Sequence, residues 1–294
     1  MERRDFIKSL FMSGLAVKLK PEPFPQPPLP ELSVAEGESP AVITREALKT
    51  LGGMSRFVSR ADKVLVKPNI GWDRTPEMAA CTNPEVVRAL VEMAYEAGAR
   101  EVIVMDHTIN QAKRCYVRSG VQEAARQAGA KVLFAEEQRL KKVALKGEWL
   151  KEWSVFQDFL EVDRIINVPV AKVHSLSRVT LGMKNWLGAI GGSRNQLHQR
   201  IDQSMVDLAA FFKPSLTVLD AYRILFRNGP QGGRVSDTKL MKTVIAGTDP
   251  VAVDAYGATF FDLKPAELLF LKLARDRGLG KSDLEKVRIE KRKV

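Results

Sequence analysis

Short apolar runs, each stopped by a polar residue and most followed by a helical pattern, recur along this chain. DKVLVKPNIG, REVIVMDHT, KVLFA, DRIINVPV, LTVLDAYRI and KTVIAGTDP are the main ones. Unbroken Val, Ile and Leu runs of this length suit strands buried on both faces. Between them, Ser39 caps a helix that has Pro40 in its first turn and Gly52 as its stop. The segment 83–97 carries apolar residues at helical spacing up to Gly98. Another helix follows Ser119, IDQSMVDLAAFF is amphipathic and closed by Pro214, and Pro250 opens a helix bearing Asp254. Strand–helix–strand units with right-handed crossovers predict an α/β fold, a mostly parallel sheet with helices on both faces. With no linker between the units, residues 31–294 read as one large domain. LSVAEG adds a short strand, KVRIEKRKV a last one, and Lys142 to Asp158 a strand or hairpin covering the sheet.

Residues 1–30 read differently. Arg3 and Arg4 precede Asp5, Phe6, Ile7 and Lys8, and an apolar stretch follows from Leu10 to Val17. This order matches the twin-arginine export pattern of bacterial type, an address read by a receptor. It predicts the export machinery as a partner and an exported, extracytoplasmic location. The alternative is a frayed amphipathic tail on a cytoplasmic protein, because Lys18 and Lys20 interrupt the apolar stretch and no small-x-small cleavage site follows. Pro21 to Pro30, PEPFPQPPLP, reads as an extended spacer.

If the apolar strands are parallel, the residues at their ends meet on one edge of the sheet, where open α/β folds bind ligands. Lys67 and Asn69, Asp106 and His107, Lys172 and His174, Asp220, and Asp249 all lie at or just past such ends. The densest block is Val168 to Gly192, VPVAKVHSLSRVTLGMKNWLGAIGG, which also holds Arg178, Thr180, Lys184 and Asn185. Lys67, Lys172 and Lys184, with Arg178, Arg194 and Arg223, predict a positive cleft for the phosphate or carboxylate of a small anionic ligand. A buried lysine there can act as base or nucleophile. In the catalytic reading Lys172, His174, Lys184 and Asp220 do the chemistry, while Lys67, Asn69, Arg178, Asn185, Arg194 and Arg223 bind substrate.

The chain has three histidines, His107, His174 and His198, all in loops of this kind. Together with Asp106 they form a candidate ligand set for a divalent metal, without the short local spacing of a zinc motif. The competing view is that these imidazoles bond loop carbonyls.

The net charge of +11 agrees with acidic partners. Basic runs interleaved with aromatics are missing, as is helix-turn-helix or zinc-finger spacing, so nucleic acid is not an expected partner. No apolar run has the length of a transmembrane segment. Cys81 and Cys115 lack Cys-x-x-Cys spacing, so no iron–sulfur cluster is expected. Two separate buried thiols are the default, and a disulfide is the option in an oxidising compartment. NGPQGG and GAIGG fit neither Gly-x-Gly-x-x-Gly nor Gly-Lys-Ser/Thr, and no Ser-His-Asp order or Cys-His pair is evident.

VLVKPNIG, VMDHT, NVPVAKVHSLSRVTLGMKNWLGAIGG, LHQRIDQSMVDL, TVLDAYRILFRNGPQGG and VIAGTDPVAVDAYGA together resemble the family called domain of unknown function 362. The resemblance runs from about Leu32 to Val294, and the Lys-x-His through Lys-Asn-x-x-Gly block is its most specific part. It implies the fold and the site more than a reaction. Members with a twin-arginine leader occur, and many relatives carry a cysteine-rich ferredoxin module that is missing from this sequence. Two functions are therefore expected as alternatives. One is an enzyme acting on a small anionic substrate, with or without a divalent metal; the other is a non-catalytic ligand- or cofactor-binding or maturation protein using the same cleft.

Overall fold

The structure, a computed structural model, describes residues 28–294. The twin-arginine-like leader and most of the proline-rich spacer lie outside them. In chain order the described residues form β1 (Leu32–Glu36), α1 (Pro40–Thr50), β2 (Lys63–Pro68), α2 (Pro84–Glu96), β3 (Glu101–Asp106), α3 (Ala112–Arg118), α4 (Val121–Gln127) and β4 (Lys131–Phe134). A hairpin of β5 (Leu140–Ala144) and β6 (Glu152–Phe156) follows, then β7 (Arg164–Val168), β8 (Val170–His174), β9 (Arg178–Thr180) and α5 (Gly182–Asn185). The chain closes with α6 (Ile201–Phe212), β10 (Leu216–Leu225), β11 (Thr238–Gly247), α7 (Pro250–Thr259), α8 (Leu269–Asp276) and β12 (Ile289–Lys293).

The main sheet runs β12-β1-β11-β10-β7-β2-β3-β4, with β8 beside β10 and β9 beside β8. It is mostly parallel. β2 pairs in parallel with β3 and β7, β3 with β4, and β10 with β7 and β8. β11 runs antiparallel to both β1 and β10. Alternate residues of each strand feed opposite faces. Val64, Val66, Val102 and Val104 pack with Ile43 and Leu48 of α1, Leu90 of α2, Cys115 and Tyr116 of α3 and Ala125 of α4. Leu65, Ile103 and Met105 enter the other core with Met183 of α5, Met205 and Leu208 of α6, Val253 of α7 and Leu271 of α8. Helices thus cover both faces of one sheet.

Three departures from the expected strands matter for the site. DRIINVPV does not run as one strand into Lys-x-His: Pro169, which lacks an N–H for the ladder, separates β7 from β8. β10 pairs with β7 at Leu216 and Thr217 and with β8 from Asp220 onward. β10 also continues to Leu225 along β11, across a register shift between Ala221 and Arg223, so Asp220 is in mid-strand and not at a strand end. Because β11 is antiparallel, Asp249 leaves from the opposite edge of the sheet. There it caps α7, accepting from Val251 and Ala252 N–H at 2.8 and 2.9 Å, and from Lys281 N–H at 2.7 Å.

The Lys142–Asp158 region forms a separate two-stranded sheet. It is tied to the loop after α5 by the Val155–Ile190 bridge and by Trp153 Nε1 donating to Gly191 O at 2.9 Å. Cys81 and Cys115 are separate buried thiols, pushed up to about 11 and about 12 by burial. Among the described residues no helix is long and apolar enough to cross a membrane.

Candidate functional site

A cleft of about 330 Å³ opens at the carboxyl edge of β2, β3 and β8. The β8–β9 hairpin furnishes one wall. Its register sets Lys172 opposite Thr180, Val173 opposite Val179 and His174 opposite Arg178. Lys172, His174 and Thr180 all border the cleft, while Val179 joins the core on the other side. The second wall is α5, which carries Lys184 and Asn185. Its start is held by the Asp254 carboxylate, which accepts from Gly182 N–H at 2.6 Å and Met183 N–H at 2.9 Å. A Cβ at position 182 would stand 2.8 Å from Asp254 Oδ1, so glycine permits this approach. Burial pushes Asp254 up to about 7.

Beneath the cleft lies a closed ion pair. Lys67 Nζ donates to Asp106 Oδ1 at 2.6 Å and to Pro68 O at 3.0 Å, and Asp106 Oδ2 accepts from Ile70 N–H at 2.6 Å. Burial pulls Lys67 down, and the Asp106 carboxylate opposes that pull. Gly188 seals the pair, since a Cβ there would fall 1.9 Å from Asp106 Oδ1 and 2.8 Å from Lys67 Nζ.

A relay of amides joins this floor to the walls. Lys172 Nζ donates to Ala80 O at 2.6 Å and to Asn69 Oδ1 at 3.0 Å. Asn69 Nδ2 donates to Asn185 Oδ1 at 3.1 Å, and Asn185 Nδ2 donates to Asn167 Oδ1 at 2.9 Å and Lys67 O at 3.2 Å. Asn167 Nδ2 ends the chain on Gly182 O at 2.9 Å. Donor follows acceptor throughout, which fixes the orientation of each amide.

The cations on the walls are not neutralised in this way. Lys184 is 9% exposed and has no hydrogen-bond or carboxylate partner among the described residues. Burial, then Lys172 and Arg194, pull its pKa down to about 7. Burial brings Lys172 down to about 8. Arg194 donates to the carbonyls of His107, Leu187 and Thr108 at 3.1, 3.1 and 2.9 Å, bracing the rim with its charge still facing the cleft. Thr180 Oγ1 is buried and has no partner among the described residues.

The imidazoles differ in tautomer. His174 Nδ1 accepts from Leu176 N–H at 3.1 Å and Ser177 N–H at 3.4 Å, which puts the proton of the neutral ring on Nε2. Burial, then Lys184, keeps this ring neutral by pulling its pKa down to about 3. His107 Nδ1 instead lies 2.8 Å from Ile190 O and donates to it, leaving the Nε2 lone pair free. His198 stacks on His174 with ring centroids 6.2 Å apart.

Lys67, Asn69, Asp106, His107, Lys172, His174, Lys184, Asn185, Arg194 and His198 therefore gather around or just beneath one cleft, as strand polarity requires. Besides Asp249 on the opposite edge, three expected residues do not join them. Asp220 is buried in β10, where its carboxylate accepts from Asn83 N–H at 2.7 Å and Tyr222 N–H at 3.0 Å and ties α2 to the sheet. Arg223 bonds Thr238 Oγ1 at 3.2 Å, farther along β10. Arg178 adopts a φ of 63° and turns outward to Glu267. The metal set does not close either. Among the described residues no three His, Cys, Asp or Glu side chains gather tightly enough for one ion. Asp106 is taken up by Lys67 and Ile70, and His174 presents N–H in place of a lone pair. Sequence reasoning gave no role to Thr180, Asn167, Gly188 or Asp254; the two-residue periodicity of the β8–β9 hairpin was the available signal for Thr180.

Residues 64–259 match the family described as Domain of unknown function (DUF362). A thylakoid-associated protein of Synechocystis sp. is 25% identical over 249 residues, covering 82% of this chain and 76% of its own. The lactate racemase apoprotein of Thermoanaerobacterium thermosaccharolyticum superposes with a TM-score of 0.51 at 8% identity, over 80% of this chain. This chain spans only 57% of that protein, and the likeness is one of fold. With the family match covering most of the described sheet and both walls of the cleft, the chain belongs to the DUF362 family.

Proposed function

We propose that this protein captures a small carboxylate- or phosphate-bearing ligand in the carboxyl-edge cleft. The observation that carries this reading is Lys184, a buried ammonium without a partner among the described residues, facing the same space as Lys172 and Arg194. A ligand anion would supply the missing counter-charge, in a site where water screens little. The neighbouring hydrogen-bond groups are consistent with it. Lys172 has spent two of its three N–H groups, and His174 offers Nε2–H.

Binding is favoured over catalysis by the placement of titratable groups. General acid–base chemistry asks for a titratable pair within hydrogen-bond reach of each other. The pair at the cleft that meets this demand, Lys67 and Asp106, is internally satisfied beneath it. Titration of the full chain with oxalate and inorganic phosphate, followed by calorimetry, tests the reading. A Kd below about 1 mM for either anion, lost in Lys184→Ala, is expected. Failure of both anions to bind at about 10 mM would overturn it.

Export by the twin-arginine route belongs to the same proposal, since that route carries folded proteins and a ligand loaded beforehand would travel with the fold. Its support is the order Arg3-Arg4-Asp5-Phe6-Ile7-Lys8. Fractionation of cells making the native chain and an Arg3→Lys, Arg4→Lys variant decides it; equal cytoplasmic retention of both removes the idea.

A further inference from the structure

Three lysines are buried at this edge, and their surroundings are unequal. Lys67 is locked to the Asp106 carboxylate and Lys172 is anchored by Asn69 and Ala80. Lys184 alone among the three has no hydrogen-bond partner among the described residues, and it borders the cleft on a helix whose start is clamped by Asp254. From this geometry we propose that Lys184 is a nucleophilic amine that forms an imine with a small oxo acid, a compound carrying an aldehyde or ketone carbon beside a carboxylate. This rests on the anion-binding reading and names its ligand class.

The carboxylate supplies the counter-charge, met by the remaining N–H of Lys172 and by His174 Nε2–H, while the adjoining carbonyl carbon faces Lys184. The free amine attacks that carbon, the C–N bond forms, and the carbonyl electron pair moves to oxygen, which takes the proton leaving nitrogen. The hydroxyl of the carbinolamine then takes back from water the proton that the ammonium gave up on becoming the free amine, and departs as water while the nitrogen lone pair closes the C=N bond. Ammonium and carbonyl have become iminium and water, and nothing is oxidised or reduced. Thr180 Oγ1, buried at the cleft wall and unpartnered among the described residues, offers the carbinolamine oxygen a hydrogen bond. A pKa of about 7, set by burial and then by the charges of Lys172 and Arg194, supports the assignment, because about half of the amine is free at neutral pH.

The test is reductive trapping on the full chain. Protein is incubated with glyoxylate or pyruvate and cyanoborohydride, digested, and mapped by mass spectrometry. Lys184 is expected to be modified at least about tenfold faster than exposed Lys113, saturably and in competition with oxalate, because its free-amine fraction exceeds that of an ordinary lysine. Lys184→Arg, which cannot form an imine, should give no cleft adduct. Oxalate binding by the native chain with labelling no faster at Lys184 than at Lys113 overturns the imine and leaves the anion site standing. Absence of oxalate binding removes the imine, and absence of both oxalate and phosphate binding removes the anion site as well.

Discussion

The floor and the wall of the cleft use the same residue in opposite ways. On the floor, Lys67 is fully buried against Asp106 at 2.6 Å, and both carboxylate oxygens are occupied. On the wall, Lys184 is nearly as buried and has no acid among the described residues to hold it. A buried charge with a fixed partner is an element of the fold, and taking the partner away leaves an uncompensated ion. A buried charge without one raises the energy of the free protein until something else answers it. The contrast is the basis on which the proposed ligand is assigned to the wall, without reference to any relative.

Breaking the floor should have the largest effect. Lys67→Met removes the partner of the buried Asp106 carboxyl and is expected to cost about 3–5 kcal/mol in urea unfolding. A loss below about 1 kcal/mol would show that the pair is not the structural element described here. Lys184→Met should do the reverse, weakening oxalate binding about 100-fold without lowering stability. It also has a pH signature. The folded pKa of Lys184, about 7, lies below the ordinary lysine value near 10.4, so the unfolded chain holds more protons between these limits. Native stability therefore rises with pH across that window, and Lys184→Met should flatten the rise. An unchanged slope would place the titration elsewhere.

The common edge was legible because it follows from strand polarity alone: VLVKPN, VMDH and VAKVH end in polar groups, and parallel strands align such ends. Asp249 shows the limit of that reasoning. Its strand is as apolar as the others, and nothing within KTVIAGTDP says that β11 pairs antiparallel with β10. Asp220 and Arg223 were misplaced for a related reason. The apolar run of LTVLDAYRI predicts a strand ending near Asp220, whereas pairing with β11 carries β10 on to Leu225. Partner identity also escapes a linear reading. Lys67 and Lys184 look alike in sequence, and only the approach of Asp106, across the space that Gly188 leaves open, separates them.

Asp254 connects the wall to the core, and its removal gives a smaller, more diagnostic effect. Asn at 254 can accept through one oxygen only, turning an NH₂ toward Gly182 or Met183 N–H and costing about 2 kcal/mol. Because the folded pKa is raised to about 7, the native chain loses stability as pH climbs from the unfolded value near 4 through 7. Asp254→Asn lacks this slope, so the cost should be greatest in acid and shrink as pH rises from about 4 to about 7. Weaker oxalate binding is expected beside it, since α5 carries Lys184. Intact affinity in a destabilised variant would show that the clamp serves the fold alone.

The smallest expected effect sharpens the comparison furthest. Thr180 Oγ1 is buried without a partner among the described residues, directly across the hairpin from Lys172. Thr180→Val keeps the shape and removes the hydroxyl, so the free protein should gain up to about 1 kcal/mol, as expected when an unsatisfied polar atom leaves a buried site. If the hydroxyl is held ready for a ligand, the same variant should bind oxalate several-fold more weakly, about 1 kcal/mol for a lost hydrogen bond. Stability and affinity then move in opposite directions, as they do for Lys184→Met and as they would not for a residue of the floor. A variant that is both less stable and unaltered in binding would assign Thr180 to the hairpin and confine the ligand to the lysine side of the cleft.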